Sequence, residues 1–249
     1  MKYGICHLGV VPLRKEHDHK SEMVSQLLYG EAFKIIDQRK DWFKIRLQWD
    51  RYEGWITQHQ ATLIEEEQYK SIQQSDFSCT QNLIDFVHLA NDEIIPVPLG
   101  SDLRALTALK HSIENPTRAL KLSKEALVTT AYQFLHAPYL WGGKTPLGID
   151  CSGFTQMVYK IHGHPLKRDA WQQAQQGTTL SFIDESEPGD LAFFDNKEGD
   201  IIHVGILLQN HFIIHAHGQV RIDRIDQTGI FNAEKQTHSH KLRLIKSMI

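Results

Sequence analysis

Cysteine is scarce: Cys6, Cys79 and Cys151 are the only three in 249 residues. Three scattered thiols are too few for a disulfide framework. Basic charge is not in surplus either. Lys and Arg number 27 against 30 Asp and Glu, for a net charge of −3. A nucleic-acid-binding domain would show the opposite balance. The longest apolar runs, such as 201–208, fall far short of the roughly 20 residues a membrane span needs. No block lacks apolar residues for long, which excludes extended disorder. The N-terminus has neither an apolar stretch nor a small-residue cleavage site, so no signal peptide is expected and the expected setting is the cytoplasm. What remains is an ordinary globular composition, 41% hydrophobic and 23% charged, with an unusual count of 15 histidines.

Three segments follow one another. Residues 1–63 read as all-β: Phe33-Lys34-Ile35-Ile36, Trp42 to Leu47 and Gly54-Trp55-Ile56 are short aromatic and β-branched runs between charged turns. Phe43, Ile45 and Leu47 alternate with Trp42, Lys44 and Arg46, so one face is buried, and strands this short and closely spaced favour a small barrel. Residues 64–116 read as a second, irregular β module or linker. Glu65-Glu66-Glu67 marks a solvated face, and Pro96 and Pro98 forbid a helix. Residues 117–249 change character. Leu127, Val128, Ala131, Phe134 and Leu135 form a helical stripe after Ser123, a suitable N-cap, with Pro138 as the stop. Phe154, Met157, Val158 and Ile161 form a second, capped by Asp150 and ended by Gly163. Five strand-like runs follow from Asp190 onward. Helices and then adjacent strands mean an α+β domain with an antiparallel sheet.

Cys151 falls in the first turn of the second helix. Free N–H groups and the helix dipole there favour a thiolate. A buried cysteine is more often a small hydrophobe, and the negative charge of Asp150 opposes a thiolate. Position alone leaves both readings open. A cysteine nucleophile needs a base. His203 and His215 lie on consecutive runs joined near Gln209-Asn210. A three-residue loop centred on Gln209 would make them a cross-strand pair about 5 Å apart, whereas a two-residue turn would put them on opposite faces. His217, two residues after His215, offers metal-ligand spacing, as do His162-x-His164 and His238-x-His240. No cysteine pair or His-Glu-x-x-His accompanies them, so neither metal nor cofactor is expected.

Asp150-Cys151-Ser152-Gly153-Phe154, after Pro138-Tyr139-Leu140-Trp141-Gly142-Gly143, resembles the nucleophile motif of the NlpC-type cysteine peptidases. The likeness continues through Arg168-Asp169-Ala170, Pro188-Gly189-Asp190-Leu191, His203-Val204-Gly205-Ile206 and Ile214-His215-Ala216. It implies a papain-like catalytic domain with a central antiparallel sheet, preceded by a small all-β barrel region similar to bacterial SH3 domains. It implies Cys151 as nucleophile, His203 as base and His215 as the residue orienting it. Tyr139, Trp141 and Ser152 would line the substrate site, with Tyr139 helping to hold the oxyanion. The stretches Ser21-Glu22-Met23 and Tyr52-Glu53-Gly54-Trp55 resemble a narrower subgroup, γ-D-glutamyl-L-diamino acid endopeptidases acting on murein peptides with a free N-terminal L-Ala. There, residues at the positions of Glu22, Tyr52 and Asp150 hold the substrate ammonium, in a cleft closed at one end by the barrel. Ala170 departs from the subgroup, which often has a serine there. The substrate implied is a murein peptide with lysine or diaminopimelate, with no nucleic-acid or membrane partner. Two other classes share these features: a peptide- or wall-binding protein with an inactive catalytic domain, and an acyltransferase or amidase on the same core.

Overall fold

The computed structural model describes residues 2–249, which divide into two compact units between Leu120 and Lys121. In the first, strands β1 (Lys2–Ile5), β2 (Val10–Arg14), β3 (Met23–Leu28), β4 (Ala32–Arg39), β5 (Trp42–Leu47), β6 (Glu53–Thr57) and β7 (Thr62–Ile64) form one antiparallel sheet in the order β3-β2-β6-β5-β4-β1-β7. The sheet wraps around Val11, Leu13, Leu27, Phe33, Phe43, Ile45 and Ile56, all buried. The alternation along Trp42–Leu47 works as expected: Phe43, Ile45 and Leu47 are inside, and Trp42, Lys44 and Arg46 are not.

Residues 64–116 do not stand apart from this sheet. They supply helix α1 (Glu66–Gln74), a hairpin of β8 (Ile84–His88) and β9 (Ile94–Pro98), and the short helix α2 (Leu106–Leu109). The glutamate run contains the start of α1, with Glu65 as its cap. Tyr69 and Ile72 carry the helix onto Tyr3, Ile5 and Ala32 of the sheet, so the segment shares a core with it. Arg104, paired with Asp102 at 2.6 Å and donating to the Ile72 carbonyl at 3.0 Å, fastens the end of the segment.

In the second unit, helix α3 (Lys124–Tyr132) begins at Ser123, whose hydroxyl accepts from the Ala126 N–H. It ends at Tyr132, in a series of turns well before Pro138. A small hairpin, β10 (Lys144–Thr145) with β11 (Gly148–Ile149), leads into α4 (Cys151–Ile161), whose end is marked by left-handed Gly163. Helix α5 (Ala170–Gln173) and strands β12 (Thr178–Leu180), β13 (Leu191–Asp195), β14 (Ile201–Leu208), β15 (Phe212–His217), β16 (Gln219–Ile225), β17 (Gly229–Asn232) and β18 (Thr237–Ser247) complete it. The sheet is antiparallel, as expected, but it is not open. β17 pairs with β18, closing β18-β13-β14-β15-β16-β17 into a six-stranded ring with β12 appended to β18. Ala192, Phe194, Leu207, Ile213, Ile225, Ile230 and Ile245, drawn from all six strands, pack together as its core. Helices α3, α4 and α5 lie against β14. Among the described residues no helix is long and apolar enough to cross a membrane.

The turn after β3 tests how tightly residues 64–116 are tied to the first sheet. The Tyr29 carbonyl accepts from the Asp102 N–H at 2.8 Å. Gly30 has φ +78°, and a β-carbon there would stand 1.8 Å from the Asp102 carbonyl oxygen. Gly30→Ala is expected to cost about 2–4 kcal/mol through strain and this clash. Thermal denaturation should show a Tm lowered by several degrees; an unchanged Tm would mean that the contact is loose.

Candidate active site

Asp150 caps α4 and uses both carboxylate oxygens inside the protein. Oδ1 accepts from the Gly153 N–H at 2.7 Å and from Arg168 Nη1 at 3.0 Å, with the Ser152 hydroxyl at 3.3 Å. Oδ2 accepts from the Gly142 N–H at 2.8 Å and Arg168 Nη2 at 2.6 Å. Arg168 also donates to the Ser152 hydroxyl at 3.0 Å. Both charged partners are buried, and the bidentate guanidinium neutralises the carboxylate. One carboxylate thus joins the 138–143 loop, the first turn of α4 and the 168 segment. Gln173 adds a strut from α5, donating to the Ser152 carbonyl at 3.0 Å and accepting from the Thr155 hydroxyl at 2.7 Å. Asp150 and Ser152, which the resemblance assigned to the substrate, are internal members of this cluster.

Cys151 follows directly, buried at the helix N-terminus. The dipole does not decide its ionisation. Burial, then the charge of Asp150, push the thiol up to about 12; the Val204 and Ser152 backbone N–H groups and Arg168 pull the other way and lose. The expected lowering is therefore reversed, because the thiol is out of water and beside a carboxylate. Its contact with the backbone of Val204 places the sulfur beside the residue that follows His203. Tyr139 and Trp141 lie on the partly exposed 138–143 loop, which is anchored by the Tyr139 N–H to the Gly218 carbonyl at 2.9 Å. Burial and the nearby Cys151 and Asp150 raise the Tyr139 phenol above its ordinary range.

His203 and His215 come together, but not by the register expected. The β14–β15 loop is three residues, Gln209 to His211, centred on Asn210 rather than Gln209. His215 therefore stands opposite Gly205, and His203 reaches it diagonally on the same face. Their Nε2 and Nδ1 atoms are 2.8 Å apart. Gly205 makes this possible, since a β-carbon there would lie 2.8 Å from that of His215. The same face continues onto β16. His215 Nε2 lies 3.0 Å from Asp223 Oδ2, and Arg221 grips Asp223 through Nε at 2.7 Å and Nη2 at 2.9 Å. His240 of β18 stacks on His203 with centroids 4.3 Å apart. Asp223 and Arg221 escaped the sequence reading, and His240 was weighed there only for its metal-ligand spacing. The Arg221-x-Asp223 spacing on the strand after His215 was their one legible sign. Among the described residues no group of three or more His, Cys, Asp or Glu side chains could hold a metal ion.

Glu22 and Tyr52 belong to the first unit. Glu22 ends the β2–β3 connection, half exposed, with Lys15 Nζ at 3.4 Å. Tyr52 sits in the β5–β6 turn; its ring packs against the core and its N–H donates to Asp50 Oδ1 at 2.9 Å.

Residues 136–239 match the NlpC/P60 family model, and residues 13–60 match the bacterial dipeptidyl-peptidase SH3 domain. The chain carries an NlpC/P60 domain. Its relatives include dipeptidyl-peptidase 6 of Lysinibacillus sphaericus, 28% identical over 86% of this chain and 89% of that one. The γ-D-glutamyl-L-lysine dipeptidyl-peptidase of Bacillus subtilis is 27% identical over 77% of this chain and 71% of its own. An NlpC/P60 family protein from Bacillus cereus has the same fold, with a TM-score of 0.78 at 18% identity over 99% of both chains.

The NlpC/P60 site carries a pH signature in its imidazoles. Burial holds His203 and His215 below their ordinary value of 6.5 and brings His240 to about 4, with neighbouring rings adding to the effect. Unfolding frees these rings to take protons near 6.5, so the unfolded state binds more protons below that pH and stability falls as pH drops. Asp223, held below its ordinary 3.8 by His215 and Arg221 despite its burial, adds a further loss in stronger acid. The Tm should fall from pH 7.5 to pH 5, and less steeply in His240→Gln. A flat profile would contradict the neutral cluster.

Proposed function

We propose that this protein is a cysteine endopeptidase that cleaves the bond between γ-D-glutamate and an L-diamino acid, lysine or diaminopimelate, in murein peptides with a free N-terminal L-Ala. The observation that carries the reading is the buried Cys151 beside the strand of His203, itself hydrogen-bonded to His215, in a chain related over most of its length to γ-D-glutamyl-L-lysine dipeptidyl-peptidases.

In the proposed reaction the thiol is neutral at rest. As Cys151 Sγ attacks the γ-carbonyl carbon, its proton passes to His203, and the oxyanion meets the Cys151 backbone N–H and the Tyr139 hydroxyl. His203 then gives that proton to the departing amine of the diamino acid as the C–N bond breaks. Water, deprotonated by His203, attacks the thioester; the C–S bond breaks, L-Ala-γ-D-Glu is released, and His203 returns the proton to the Cys151 sulfur. A papain-like division of labour, with helix-borne thiol and strand-borne imidazole, fits these steps.

Glu22 and Tyr52 are assigned to the substrate's α-ammonium. Asp150 is assigned a supporting part through the Arg168 cluster, because its lone pairs are already engaged. The small free peptides so selected are products of wall breakdown, so the setting proposed is murein recycling in the cytoplasm. A half-exposed carboxylate gives a charge-assisted hydrogen bond worth about 1.5–3 kcal/mol at most, or roughly 10- to 100-fold in rate. L-Ala-γ-D-Glu-L-Lys should therefore be cleaved about that much faster than its N-acetyl form, with Glu22→Gln narrowing the gap and Cys151→Ala abolishing cleavage. Equal kcat/KM for free and acetylated peptides, measured by mass spectrometry of the products, would remove the ammonium site from the account.

A further inference from the structure

The geometry points to Asp223, clamped by Arg221, as the positioning residue that fixes where the protons sit on both imidazoles and thereby makes His203 Nδ1 the base. This inference rests on the peptidase reading of Cys151 and His203. It assigns no contact with substrate to Asp223.

The argument runs from the charged end of the network inward. Asp223 is almost fully buried, so alone it would favour its neutral form, but Arg221 binds both of its oxygens and His215 binds one. An ionised carboxylate only accepts hydrogen bonds. His215 must therefore carry its proton on Nε2, the nitrogen 3.0 Å from Asp223. With His215 neutral, its Nδ1 is left as a lone pair. The 2.8 Å contact with His203 Nε2 then requires the proton of that bond to be on His203. His203 is left with a single unprotonated nitrogen, Nδ1. Reversing the proton at Asp223 would reverse the whole chain and leave His203 with an N–H on Nδ1, unable to take a proton from the thiol.

The fold holds this chain rigidly. In β16, Arg221 stands directly opposite His215, and Asp223 lies one diagonal step away. Both point to the face that carries His203, and the apolar core of the ring begins one step further along each strand, at Leu207, Ile213 and Ile225. The stacked His240 fixes the plane of the His203 ring from the other side.

The test is Asp223→Asn in the full chain. An asparagine fills the same space but has both a donor and an acceptor, so it no longer dictates one tautomer. The first readout is nitrogen NMR of ¹⁵N-histidine-labelled protein, assigned with His203→Gln and His215→Gln. The unmutated protein should show protonated Nε2 and unprotonated Nδ1 on both rings, and Asp223→Asn should lose this pattern. The second is alkylation of Cys151 by iodoacetamide, which needs no peptide substrate and should slow. The third is cleavage of L-Ala-γ-D-Glu-L-Lys, where kcat should fall on the order of 10²-fold, within the range a positioned base contributes, with KM little changed. If Asp223→Asn does not fold, Arg221→Lys, which keeps the charge but loses the two-point clamp, should show the same changes to a smaller degree. Unaltered tautomers and alkylation in whichever variant folds would overturn the inference. Should the unmutated protein leave the peptide uncut, the substrate reading fails, while the NMR and alkylation results still decide the role of Asp223.

Discussion

The buried ion pair of Asp150 and Arg168 is the constraint on which the site depends. A carboxylate out of water beside a nucleophile would raise the cost of any thiolate and would itself be unstable without a partner. Arg168 supplies two hydrogen bonds and the opposite charge, at 2.6 and 3.0 Å. With its charge balanced, Asp150 is free to act as a clamp. It caps α4, holds the Gly142 N–H of the preceding loop and, through Ser152, shares the guanidinium. Removing one partner would leave the other charge buried alone, a loss of about 3–5 kcal/mol. The position of Cys151 is therefore a consequence of electrostatics one residue away.

A second consequence is the neutral resting state of the site. Burial raises the Cys151 thiol and depresses His203, so both favour their uncharged forms at neutral pH. In the proposed reaction such a pair stores no thiolate–imidazolium, and the proton moves during attack. This puts a premium on holding His203 in one tautomer. The network His203–His215–Asp223–Arg221, at the end of an otherwise apolar ring core, meets that need with a charge kept one imidazole away from the base.

Much of this was legible in the sequence, and what was not has identifiable physical reasons. Local signals served well where local forces decide: Ser123 and Asp150 as caps, Gly163 as a stop, and the alternation of Trp42–Leu47. Cys151, His203 and His215 were nameable from motif order. The hairpin was misplaced by one residue because Asn210 and His211 both take the left-handed conformation, which the sequence reading did not assign to them although Asn and His adopt it more readily than most residues. Helix α1 hid in a run of glutamates because only Tyr69 and Ile72 face the core. Closure of the ring needs β18 to pair not only with its neighbour β17 but also with β13 far earlier in the chain, and that distant pairing, with the approach of His240 to His203, leaves no local trace. The engagement of both Asp150 oxygens by Arg168 is likewise a tertiary fact with no local sign.

The central claim is that Cys151 carries the acyl group during turnover. Acid-quenched intact-protein mass spectrometry during cleavage of L-Ala-γ-D-Glu-L-Lys, followed by proteolytic mapping, measures this directly. The account predicts an L-Ala-γ-D-Glu adduct in thioester linkage on the peptide containing Cys151, with the corresponding N-acetyl adduct forming roughly 10- to 100-fold more slowly when the substrate's N-terminus is acetylated. Product formed with no adduct on Cys151, or with an adduct on Cys6 or Cys79 instead, would contradict it.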